Sequence, residues 1–118
     1  MIALLLALAT YSGVPPQVVA VSPAVGAEVP AGKIKIKVTF DQPMLPGSQS
    51  FVVGRTVAEF PKCLPYAAQS ADGKTFTLDC VVEAGKEYWI GFNNERFQNF
   101  RSAQGVPATP AMLRFSAH

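Results

Sequence analysis

Residues 33–40 read KIKIKVTF. Ile34, Ile36, Val38 and Phe40 alternate with Lys33, Lys35, Lys37 and Thr39, so one face is apolar and the other polar. A two-residue period belongs to a strand; a helix would bring its apolar residues round every three or four. Lysines on the outer face must meet water. The strand is therefore expected to be half-buried and antiparallel rather than covered on both faces in a parallel sheet. Asp41 and Gln42 end the alternation, and Pro43 cannot donate a ladder hydrogen bond. Nothing in the stretch is reactive. It constrains the fold class.

The rest of the chain follows the same pattern in shorter pieces. Residues 17–22 and 50–53 read as strands, separated from the central one by links rich in proline and glycine. Residues 54–60 are weakly patterned and are expected to form a strand with an irregular crossing. The Asp72-Gly73 pair signals a hairpin turn, since both residues tolerate positive φ. Beyond it Phe76, Leu78, Cys80 and Val82 share a face, and in residues 87–93 Tyr88, Ile90 and Phe92 point one way. Residues 94–110 form a long polar connection, and 112–117 close the chain as a last strand. Seven to eight short strands with a turn signal about every ten residues predict an all-β, antiparallel β-sandwich. A small closed barrel is the alternative.

The 118 residues allow one domain, and 49% hydrophobic residues suffice for its core. A net charge of +2, with basic residues spread along the chain, gives no case for nucleic acid. The apolar run of residues 1–9 is shorter than the about 20 residues a membrane-spanning helix needs, but it suits a signal-peptide core. Residues 1–13 are thus expected to be a signal peptide, truncated at its start or relying on the terminal amine for positive charge. Residues 17–118 then form the exported domain, which touches a membrane only in export. A first strand is the alternative reading of the apolar run.

Export makes a disulfide expected, because the compartment is oxidising. If residues 70–73 are a four-residue loop, Gln69 lies opposite Lys74, and counting outward sets Cys63 opposite Cys80. Pro61 and Pro65 complicate this by threatening the ladder where the register is needed.

Five stretches carry a family resemblance: SPAVGAEVP, VTFDQPM, DGKTFTL, AGKEYWI and the closing LRFS. In this order they resemble the bacterial Ig-like domain of the SbsA type, over nearly all of residues 17–117. The resemblance implies a non-catalytic module of secreted or cell-surface proteins, acting as a spacer or adhesive unit beside other protein domains or cell-surface components. Where the family has an Asp-x-x-Gly-Asn step before its last strand, this chain has RSAQG at 101–105, so the resemblance does not cover that loop. The opening also resembles the periplasmic copper-resistance sandwich. That family holds copper with an N-terminal histidine and a late one; here Pro15, Pro16 and Gln17 stand at the expected mature start and residues 105–107 read GVP.

Catalysis, cofactors and metals find little support in the residues. Nucleophilic catalysis needs a base beside the nucleophile, and the single histidine is His118, the last residue. The acids fall in turns or on outer faces. Gly85 with Tyr88 reads as a tyrosine corner, while Pro43 and Met44 are expected to cap the central strand and fill the end of the sandwich. Carbohydrate or protein binding is the further possibility. Trp89 alternates with inward Tyr88 and Ile90, and with Phe97 and Phe100 it could form an exposed aromatic contact. Alternatively the long loop folds over the sheet and covers Trp89.

Overall fold

The computed structural model describes residues 13–118; the expected signal segment lies almost wholly outside them. The alternating stretch forms the longest strand, β3 (Gly32–Phe40). Around it lie β1 (Val18–Ser22), β2 (Glu28–Val29), β4 (Phe51–Val53), β5 (Lys62–Cys63), β6 (Ala68–Gln69), β7 (Thr75–Val82), β8 (Glu87–Phe92) and β9 (Ala111–Ala117). One sheet runs β1-β3-β7-β5, with β6 also on β7; the other runs β2-β9-β8-β4. The two sheets pack face to face as an Ig-like sandwich.

Alternation builds the core directly. Ile36, Val38, Phe40, Phe76, Leu78, Cys80 and Val82 point inward from the first sheet and meet Tyr88, Ile90, Phe92, Leu113 and Phe115 from the second, all buried. Each large side chain so buried contributes about 1.5–3 kcal/mol relative to exposure. The turn of the tyrosine corner is held by Glu83 N–H donating to the Tyr88 hydroxyl at 2.8 Å, while the Tyr88 ring stacks on Phe115.

Three features differ from expectation. Residues 54–60 form no strand: the chain crosses from one sheet to the other through a single 3-10 turn at Val57–Glu59. Gly54 passes so close over β8 that a Cβ there would lie 3.0 Å from the Trp89 carbonyl carbon, which explains why the pattern breaks. Second, the sandwich is not wholly antiparallel, because β2 pairs parallel with β9 at Glu28↔Ser116 and Val29↔Ala117.

Third, the hairpin register shifts midway. Gln69 lies opposite Phe76, not Lys74, because Ser70 N–H bonds to the Thr75 carbonyl and Asp72 accepts from Lys74 N–H inside the turn. Yet Cys63 does lie opposite Cys80. Five residue steps separate Cys63 from Ala68 where β7 takes three from Cys80 to Thr77, so residues 64–67 bulge out of the ladder around Pro65. Cys63 and Cys80 are joined by a disulfide at a sequence separation of 17. A loop of that length corresponds to about 3 kcal/mol in the chain-entropy account.

Candidate functional site

Each sheet ends on a short strand at the same flank of the sandwich, β4 in one and β5 in the other. Among the described residues no strand closes the space between them. The result is a cleft of about 620 Å³ whose walls include Phe51, Phe60, Leu64, Tyr66, Phe97 and Asn99. The bulge at 64–67 supplies its most open apolar side chains: Leu64 is 58% exposed and Tyr66 77%. Phe97, 48% exposed, stands on the opposite rim.

Hydrogen bonds hold both rims. Gln49 spans the two sheet edges, its Oε1 accepting from Ala67 N–H at 2.7 Å and its Nε2 donating to the Ala67 carbonyl at 3.2 Å. Asn94 Oδ1 accepts from the N–H groups of Arg96 and Phe97 at 2.9 and 2.7 Å, an Asx turn that presents the Phe97 ring. Asn99 N–H donates to Ser50 Oγ at 2.8 Å, and the Asn99 carbonyl accepts from the Ser48 hydroxyl. The Asn99 side-chain amide has no partner among the described residues.

The aromatic trio expected on the surface is dispersed. Phe100 is fully buried, with ring centroids 4.9 Å from Phe76, 5.1 Å from Phe40 and Phe51, and 6.4 Å from Phe92. It is a core residue delivered by a loop, so it makes no ligand contact. Asn93 brings it there. Its side chain, buried at positive φ (64°), donates to the carbonyls of Phe100 and Ala108 and accepts from Phe100 N–H, all within 3.1 Å. The sequence singled out neither Asn93 nor its φ.

Trp89 does face outward, but the long loop neither covers it nor brings Phe97 to it. The Arg55 guanidinium lies 4.5 Å from its ring centroid and that of Arg114 5.9 Å, while its Nε1 donates to Glu87 at 2.7 Å. Arg55 is itself held by both carboxylate oxygens of Glu59. That pairing, reinforced by the Thr56 hydroxyl, holds the Glu59 carboxyl at a pKa of about 2. The Trp89 face is thus occupied by the protein's own side chains.

Met44 fills the end of the sandwich as expected, buried and paired with Ser102. Pro43 does not: its ring is exposed, and its carbonyl accepts from Ala103 N–H. The loop at 101–105 is a tight turn in which Ser102, fully buried, binds Gly105 and Val106. Among the described residues no group of three His, Cys, Asp or Glu side chains could hold a metal ion, and no helix is long and apolar enough to cross a membrane.

No curated protein matches the chain. Among solved structures, CopC from Methylosinus trichosporium OB3b superposes with a TM-score of 0.64 at 18% identity, over 86% of this chain and 92% of that one. The S-layer protein rSbsC superposes at 0.52 with 20% identity over 87% of this chain, and surface layer protein SbsC, domains 1–6, at 0.54 with 20% identity over 88%. This chain spans 14% of each of those surface-layer chains. At such identities the likeness is one of fold. The profile of the bacterial Ig-like domain matches residues 12–117, and the protein belongs to that family.

Proposed function

We propose that the protein is a non-catalytic interaction module of an exported bacterial protein, engaging its partner through the cleft between β4 and β5. One observation carries the reading: Leu64, Tyr66 and Phe97 stand exposed around a concave apolar floor, whereas Trp89 is stacked against arginines. Aromatic side chains on a rigid rim are the usual anchors of a protein interface. The disulfide fits an oxidising compartment, and the surface-layer neighbours are consistent with a module of the cell exterior. The chain enters β1 beside Asp41 and Thr109 and leaves β9 beside Val29 and Ala31, at opposite ends of β3. Such polarity suits a spacer set in line with other domains.

The test is the double variant Tyr66→Ser, Phe97→Ser, made in the exporting host and checked for its native circular dichroism. Wild-type protein should remain with the cell envelope and the variant should pass into the medium. Equal retention of both would count against the cleft. A second reading, carbohydrate binding, draws on Tyr66 and Phe97 as stacking surfaces beside the unpartnered Asn99 amide. It requires soluble envelope oligosaccharides to shift the NMR signals of Phe97 and Asn99.

A further inference from the structure

The outer face of the β1-β3-β7-β5 sheet adjoins the cleft at Leu64 and carries four of the six lysines and no arginine. Lys33, Lys35 and Lys37 project in single file from β3, with successive side chains about 6.6–6.8 Å apart along the strand. Lys62 on β5 lies in the same row as Lys33, since both sit opposite Val81 of β7, two ladder spacings or about 9.5 Å across. Lys33, Lys35, Lys62, Leu64, Asp79 and Val81 line a shallow depression of about 600 Å³.

Charge on this molecule is segregated. The face holds four lysines against Asp79, with Glu83 at the end of β7 held by Lys86 and within reach of the charge of Lys62. Elsewhere Arg55 pairs with Glu59 and Glu87 and Lys86 with Glu83, while Lys74, Arg96, Arg101 and Arg114 make no ion pair among the described residues but do not stand in a row. On the face only Lys35 is paired, to Asp79 at 2.8 Å, with both side chains more than half exposed. So exposed a pair adds little stability and exchanges readily for another anion. Lys33, Lys37 and Lys62 have no acidic partner among the described residues, and residues 1–12 contain no Asp or Glu.

We propose that this face binds a linear phosphate polymer, laid along β3 and across the depression to Lys62. Lysines act as point charges without the planar fork by which arginine grips a carboxylate or a phosphate in fixed geometry, so they suit a repeating, highly charged anion held by charge density. Among the described residues no aromatic ring stands on the face for bases to stack on. The ligand is therefore read by its phosphates alone.

The probe is long-chain inorganic polyphosphate, titrated calorimetrically into the full chain. With three to four phosphates engaged, the counterion slope for a flexible strand gives a loss of about 20- to 50-fold in affinity between about 50 and 200 mM salt. Lys33→Gln, Lys37→Gln, Lys62→Gln, all at exposed positions, should lower affinity at least tenfold. A control removing three charges elsewhere, Lys86→Gln, Arg96→Gln, Arg101→Gln, should stay within twofold of wild type. Equal loss in both triple variants would reduce the effect to net charge and overturn the site. So would the absence of polyphosphate binding, or tighter binding to polyglutamate or to vesicles containing phosphatidylglycerol. The cleft variant Tyr66→Ser, Phe97→Ser should bind polyphosphate normally, which separates this surface from the proposed partner cleft.

Discussion

Replacing Asn93 by alanine should be among the most damaging single changes in the protein. Three hydrogen bonds end on its amide, and they are the means by which residues 94–110 return Phe100 to the core. Each such bond is worth about 1 kcal/mol net, and more where a buried group is left unpaired. Alanine at positive φ adds about 1–2 kcal/mol. The total is about 3–5 kcal/mol, a large share of the 5–15 kcal/mol typical of a domain. With a urea slope of about 1–3 kcal/mol/M, the unfolding midpoint should fall by about 2 M. Asn93→Gly, which keeps the conformation but loses the amide, should be about 1 kcal/mol less harmful than alanine. Asn93→Asp is the sharper test. One carboxylate oxygen would still accept from Phe100 N–H, but the other would face the carbonyls of Phe100 and Ala108. Protonation restores the missing donor, so the folded-state pKa is raised above the ordinary 3.9. Stability of this variant is then full below about pH 4 and is lost as pH rises through the folded-state value. An alanine cost below 1 kcal/mol, or an aspartate variant equally stable at pH 4 and pH 7, would refute the clamp.

Other outcomes follow from single contacts. The Glu59 carboxyl should titrate near pH 2 by carbon-detected NMR and return toward 4.5 in Arg55→Gln. Because its pKa is depressed in the folded protein, the ordering it gives the 54–60 crossing is complete above 4.5 and is lost as pH falls toward 2. Tyr88→Phe removes the acceptor of Glu83 N–H and should cost about 1 kcal/mol by urea unfolding, with no change in fold. With His118 the single imidazole, Cu(II) titrated into tag-free protein should reveal no stoichiometric site tighter than about −8 kcal/mol, the micromolar level.

How much was legible depended on whether a residue's fate is set by its neighbours in sequence. Strands β3, β7 and β8 declare themselves because alternation is local, and each buried face is the one the period assigns. The tyrosine corner was visible for the same reason. Phe100 was not: its neighbours Gln98, Asn99, Arg101 and Ser102 are polar, and only the long-range clamp of Asn93 sends it inward. The cysteine pairing emerged from a count that was wrong at the turn and right at the cysteines, because the bulge at 64–67 absorbs two residues. Pro65 beside Tyr66 was the available sign that this segment leaves the ladder. That departure creates the cleft wall, so Tyr66 and Leu64 went unremarked while Trp89, conspicuous by type, drew attention to a face already filled by Arg55 and Arg114.

Hydrogen–deuterium exchange of the protein free and seated on isolated cell envelopes tests the central claim most directly. The cleft account predicts that protection on binding concentrates in residues 47–53, 60–66 and 94–99, which line the gap between β4 and β5. Protection confined to residues 87–89 and 112–116 around Trp89, or no difference between the two states, would contradict it.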